Sequence, residues 1–195
     1  MTNDQTVLTG SAIGIETVTL SEATTAVVLD SYRAVVENAA NNADGVEIVL
    51  NRSVEHACVV VEYLFRKADH LIEIVTQHLI NTAYGTDATT GAALTFLRRS
   101  RDSRIDVLVE GSMETANKSN LISAIRGADL LKQVTMTSVP EAIQKTYMDH
   151  VIVVDGIHYR YQRSRKDLEA MVQFGNRRTG QRLHDEFLAL KHKCA

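Results

Sequence analysis

No stretch of this chain approaches the roughly 20 consecutive apolar residues that a membrane-spanning helix requires, so a bilayer-crossing protein is excluded. The N-terminus, Met1-Thr2-Asn3-Asp4-Gln5, has neither a basic n-region nor an apolar h-region, and no secretory signal is expected. Only two cysteines are present, Cys58 and Cys194, too few for a disulfide framework. A reducing cytoplasm is the expected setting. Tryptophan is absent and proline occurs once, at Pro140. No glycine-rich phosphate loop appears, which removes the common nucleotide-binding motifs. His70, His78 and the Lys191-His192-Lys193-Cys194 tail lack metal-ligand spacing, so neither a metal nor another cofactor is expected. Charge of one sign is also missing overall: the formal net charge is −3, and a globally basic nucleic-acid binder is not indicated.

What is present is an ordinary globular composition, 45% hydrophobic and 23% charged over 195 residues, enough for a substantial core. Residues 1–20 are Thr-rich, with alternation at Ile13, Ile15 and Val18 that suits an arm or one short edge strand. Ser21-Glu22 opens a helix carrying Ala26, Leu29, Tyr32 and Val36, which stops at Asn41-Asn42-Ala43-Asp44-Gly45. Residues 1–45 therefore read as an N-terminal arm and helix added to a main domain over 46–195.

That domain opens with Val46-Glu47-Ile48-Val49-Leu50 as a strand. Asn51-Arg52-Ser53 supplies a helix cap, and Val54, Ala57, Cys58, Val61, Leu64, Phe65 and Ala68 form an apolar stripe at helical spacing. Leu71–Val75, Arg104–Val109 and Val134–Val139 read as strands, with helices expected over 87–99 and 119–131 between them. A last helix from about Thr179 would bury Leu183, Phe187 and Leu190. Alternating units of this kind build an α/β domain, a mostly parallel sheet with helices on both faces.

The centre of the chain is Met148 to Arg160. Val151-Ile152-Val153-Val154 is a buried strand and Asp155-Gly156 a tight turn that needs positive φ. In the half-exposed partner strand that follows, Ile157, Tyr159 and Tyr161 share one face, and His158, Arg160 and Gln162 the other. Together with Ser53–Ala68, Ile72-Glu73-Ile74-Val75, Arg104–Val109, Phe174-Gly175-Asn176 and Leu183-His184-Asp185-Glu186-Phe187, this stretch resembles one half of a phospholipase D-like domain over roughly residues 46–190. The resemblance implies that family's fold and a homodimer or larger homo-oligomer.

In active members of that family a His-x-Lys-x-x-x-x-Asp motif lies at this hairpin. The histidine attacks phosphorus, the lysine neutralises phosphate charge, and a second motif protonates the leaving group. With the aspartate placed on Asp155, Met148 takes the histidine position and His150 the lysine position. A thioether is no useful nucleophile toward phosphorus, and an imidazole is a poor substitute for a permanent ammonium. No histidine in the chain is followed two residues later by lysine; His158-Tyr159-Arg160 comes nearest. The motif is degenerate, and the resemblance implies the fold without the usual reaction.

Three sets of side chains stay open as a site. Arg160, Arg163, Arg165, Lys166, Arg177, Arg178 and Arg182 crowd basic charge into 160–182, against Asp167 and Glu169. Arginine forks suit phosphate oxygens and a nucleic-acid backbone; the same run also fits a solvated face or an interface with a protein partner. His150 and Asp155 are residual motif positions, although an Asp before Gly more often shapes a turn. Tyr84, Glu110 and Asn176 are expected to border a cleft beyond the carboxyl ends of the strands. Two functions follow. One is a non-catalytic scaffold or nucleic-acid-contacting subunit of a larger assembly, such as an antiviral defence system. The other is a divergent metal-independent phosphodiesterase or nuclease, a homodimer with His150 or His158 as nucleophile.

Overall fold

Seven strands form one sheet in the computed structural model of the protein, which describes residues 22–79, 82–145, 149–163 and 169–194. The arm at 1–20, Met148, Arg165 and Lys166 lie outside the described residues. In chain order the elements are α1 (Glu22–Asn42), β1 (Val49–Asn51), α2 (Val54–Lys67), β2 (Leu71–Thr76), α3 (Asp87–Arg99), β3 (Arg104–Val109), α4 (Met113–Asn117), α5 (Asn120–Gly127), β4 (Val134–Ser138), α6 (Glu141–Gln144), β5 (His150–Val154), β6 (His158–Gln162), β7 (Ala170–Gln173) and α7 (Arg177–Cys194).

The sheet order is β1-β7-β6-β5-β2-β3-β4. Helical crossovers join β2 to β3 and β3 to β4, which makes those pairs parallel, as a crossover long enough to return the chain requires. The two-residue turn Asp155-Gly156, with φ of 54° and 63°, folds β6 back antiparallel onto β5. The remaining pairs, β2–β5, β6–β7 and β1–β7, are also antiparallel, and five of the seven strands run in one direction. Helices cover both faces. Ile72, Ile74, Ile105, Val107, Ile152 and Val154 pack under α1, α2, α3 and α5. Val75, Leu108, Val151 and Val153 meet Leu183, Phe187 and Leu190 of α7. Two polar contacts anchor that helix: His184 Nδ1 lies 2.7 Å from Glu73 Oε2, and Lys191 Nζ forms an ion pair 2.6 Å from Asp106 Oδ2.

Helix α1 packs into the same core through Val36, Ala39 and Ala40. Arg33 of α1 and Arg66 of α2 both pair with the buried carboxylate of Glu62, which ties the two helices together. Several elements differ from the sequence reading. The helix expected over 119–131 is shorter, because α5 ends at Gly127 and Asp129 (φ 59°) turns the chain into a 3₁₀ turn at Leu131–Gln133. The short α4 and α6 were not expected, and the strand expected over 46–50 is found as β1 at Val49–Asn51. Strand β7 had no counterpart in the expected order, because four residues beside a basic run carry too little alternation to stand out.

Candidate functional site

The register of the β5–β6 hairpin decides what the chain can place together. His150 opposes Gln162, Ile152 opposes Arg160, and Val154 opposes His158. Side chains alternate across a sheet, so these six share the face under α2. The expected separation of Tyr159 and Tyr161 from His158, Arg160 and Gln162 holds, but the polar set is not half-exposed. All three are buried, because α1 and α2 cover that face. Each therefore has to find a partner inside the fold.

Arg160 is 8% exposed and lies in the middle of β6, opposite Ile152. Its Nε donates to Asn51 Oδ1 and its Nη2 to Gln162 Oε1, both at 2.9 Å. Asn51, at the carboxyl end of β1, is held by its own Nδ2 donating to the Ser53 carbonyl at 2.9 Å. Ser53 caps α2, its Oγ accepting from His56 N at 3.1 Å. The groups that orient the guanidinium are thus neutral, and among the described residues no carboxylate pairs with it. Burial pushes the Arg160 pKa down, and the nearby phenols of Tyr84 and Tyr32 act the other way. Burial raises the Tyr84 pKa, with Arg160 opposing. Tyr32, which brings α1 to the back of the site, is pushed up to about 12 by burial, again against Arg160. Its hydroxyl has no hydrogen-bond partner among the described residues, and its ring stacks on His56 with centroids 3.7 Å apart.

In front of Arg160 is a cavity of about 190 Å³. The first turns of α2 form one wall (Ser53, Val54, Ala57, Val61); Thr76, Gln77 and His78 form another, where β2 ends; Tyr84, His150 and Gln162 complete it. Nε2 of His150 lies 3.3 Å from Oε2 of the buried Glu110, so a carboxylate backs this imidazole just after β3. His78 is held at the rim by a tight approach: a Cβ on Gly111 would come within 2.6 Å of its ring and 2.4 Å of the Gln77 carbonyl oxygen. The cavity thus sits beyond the carboxyl ends of β2 and β3, where ligands bind in sheets of this kind.

Of the residues expected at the site, the structure brings together His150, Glu110, Tyr84 and Arg160. The others are elsewhere. Asp155 is at the opposite end of β5 from His150. It adopts φ of 54°, and its carboxylate accepts three backbone N–H bonds: Asp69 N at 2.7 Å, His70 N at 2.9 Å and Leu71 N at 2.7 Å. It shapes the turn and ties the hairpin to the start of β2; it is no cleft contact. His158 is at that same end, its Nδ1 accepting from Gly175 N at 3.0 Å, so its lone pair is committed. Burial lowers its pKa, and Lys67 and Arg177 act in the same direction against Asp155 and Asp69. Asn176 lies beyond the far end of β7, donating to Gln173 Oε1 and accepting from Thr179 N, and does not border the cleft. The described basic residues do not form one patch. Arg160 is inside the fold and Arg163 exposed past the cleft end of β6, while Arg177 and Arg178 are exposed at the start of α7, toward the turn end. Asn51, His78 and Gln162 were missed. Gln162 follows Arg160 by two on a strand, and that period alone could have found it.

Among the described residues no group of three or more His, Cys, Asp or Glu could hold a metal ion. No helix among them is long and apolar enough to cross a membrane.

A single sheet in this order, with its hairpin in the middle and helices on both faces, defines a phospholipase D-like fold. Two solved structures carry it. One is Nuc from Salmonella typhimurium, a phospholipase D family member, with a TM-score of 0.51 and 14% identity over 75% of this chain and 94% of Nuc. The other is TrmBL2, an archaeal chromatin protein with a novel mode of DNA binding, with a TM-score of 0.52 and 10% identity over 86% of this chain. The chain spans 58% of TrmBL2. No family model matches the sequence, and no curated protein matches it.

Proposed function

We propose that this phospholipase D-like chain binds the phosphates of a nucleic acid in the Arg160 cleft and works by holding rather than cutting, as a scaffold or nucleic-acid-contacting subunit of a larger assembly. One observation carries the reading: among the described residues, a buried arginine whose guanidinium is met by the neutral amides of Asn51 and Gln162 faces a cavity at the carboxyl ends of the strands. A buried cation without a counter-charge is costly to keep, and an anionic ligand offsets that cost. The guanidinium fork matches phosphate oxygens in geometry as well as sign. TrmBL2, a chromatin protein that binds DNA, has a similar fold.

A second reading has its own support in the pair His150–Glu110. A carboxylate-backed imidazole beside a cation is the layout of a covalent phosphodiesterase. There an imidazole nitrogen of His150 would bond to phosphorus as the P–O ester bond breaks. An imidazole of a second copy would protonate the departing oxygen, and water would then hydrolyse the N–P bond. The two readings separate in one assay. Labelled single- and double-stranded DNA and RNA are incubated with wild type and His150→Ala in EDTA, and both retention and cleavage are scored. Retention without cleavage in either protein is expected. Cleavage by wild type that His150→Ala abolishes establishes the nuclease, and no retention of any nucleic acid removes the binding reading.

A further inference from the structure

Resting on the binding reading above, we infer that the Arg160 cleft takes the terminal phosphate of a nucleic-acid strand, end-on, rather than a phosphodiester in mid-strand. Arg160 is more than nine-tenths buried and lines the cavity bounded by α2, residues 76–78 and Tyr84. A phosphodiester has two ester arms, and both must leave the pocket if its phosphorus is to approach the guanidinium. A terminal phosphate has one arm. At about 190 Å³ the cavity is smaller than the usual pocket for a small organic ligand, a size that suits a single phosphate group at Arg160. Its lower wall, Val54, Ala57, Val61 and Ala83, is apolar and offers nothing to a second phosphate.

Charge points the same way. A phosphate monoester carries about −1.5 to −2 at neutral pH, whereas an internal phosphodiester carries one negative charge. The higher charge compensates Arg160 better, and the monoester has three unsubstituted oxygens in place of two. Arg160 already spends Nε and Nη2 on Asn51 and Gln162, which fixes the guanidinium plane and leaves Nη1 without a partner among the described residues. His78 and Ser53 line the same cavity with groups able to donate to the remaining oxygens.

The test is a set of equilibrium anisotropy titrations on the wild-type chain. Short single-stranded DNA and RNA oligonucleotides of one sequence carry a 5′-phosphate, a 3′-phosphate or hydroxyls at both ends, with the dye placed internally. One phosphorylated end should bind about tenfold or more tightly than the hydroxyl form, the effect of one or two charge-assisted hydrogen bonds. Millimolar inorganic phosphate should remove that advantage. Arg160→Lys, which keeps the charge and loses the fork, should shrink it to within a few-fold. Equal binding of all three forms by wild type overturns the end-on inference while leaving nucleic-acid binding in place. No binding of any form overturns both. Because the decisive comparison is between ligands on one protein, a variant that fails to fold does not obscure it.

Discussion

The two ends of the β5–β6 hairpin are built from the same polar vocabulary and use it in opposite ways. At the turn end the polar groups of Asp155 and His158 are answered inside the chain: Asp155 collects three N–H groups, and His158 accepts from Gly175. Toward the other end, five residues away, Arg160 is buried as deeply as His158 and, among the described residues, is answered by amides alone, in front of a cavity. Self-satisfied polar groups specify a fold; a buried charge left for something else to neutralise marks a site. With the proposed binding in the cleft, the contrast makes the turn end architectural and the cleft end the place of binding, and substitutions at each end should separate stability from binding.

The largest expected effect is structural. Asp155→Ala removes the acceptor of three backbone bonds at once and puts alanine at positive φ, so unfolding should become easier by roughly 2 to 4 kcal/mol. Asp155→Asn tolerates the left-handed backbone and keeps a side-chain oxygen toward His70 and Leu71, and about half of that loss is expected. Denaturant titration gives both values. Nucleic-acid affinity of the folded Asp155→Asn protein should match wild type. A selective loss of binding with stability intact would place Asp155 in the site and erase the distinction between the two ends.

The second prediction uses proton linkage at the same end. Burial lowers the folded-state pKa of His158 below its ordinary 6.5. The native state therefore disfavours the charged imidazole, and between those two values the unfolded chain binds more protons. Stability supplied by neutral His158 is thus fully present above about 6.5 and is lost as pH falls toward the folded-state value. His158→Asn, whose amide oxygen can accept from Gly175 N without titrating, should flatten the melting temperature between pH 7 and pH 5. An unchanged slope would mean that other groups set it.

The contrast between the ends also explains what the sequence could reveal. The turn was legible because Asp-Gly after four apolar residues is a local signal, and its positive φ follows from chemistry within two residues. The strand-helix alternation and the cap at Ser53 were legible for the same reason. The cleft was half legible. Tyr84 and Glu110 follow from placing the carboxyl ends of strands and His150 from the motif alignment, but the Arg160–Asn51 bond joins residues 109 apart in sequence. That bond depends on β1 pairing with β7, and β7 itself was not apparent. The basic run misled through its proximity in sequence. A strand and the start of a helix separated by β7 cannot present their arginines together, and alternation alone sent Arg160 inward.

The smallest effect is expected where sequence counting saw the strongest signal. Arg177 and Arg178 are exposed at the start of α7, away from the cavity, and a screened surface charge contributes about 1 kcal/mol or less. Arg177→Ala with Arg178→Ala should therefore weaken nucleic-acid binding by no more than a few-fold at physiological salt. Arg160→Gln should weaken it about tenfold or more, since it removes a desolvated cation rather than a screened one. The salt dependence carries the finer distinction. A backbone tracked across the surface loses close to one unit of slope for each phosphate contact deleted, so the double variant would flatten the slope by nearly two units. A single phosphate held in the cleft predicts a slope that Arg177 and Arg178 barely change. If the double variant instead outweighs Arg160→Gln, nucleic acid lies along the helix start, and the cavity is not where it is held.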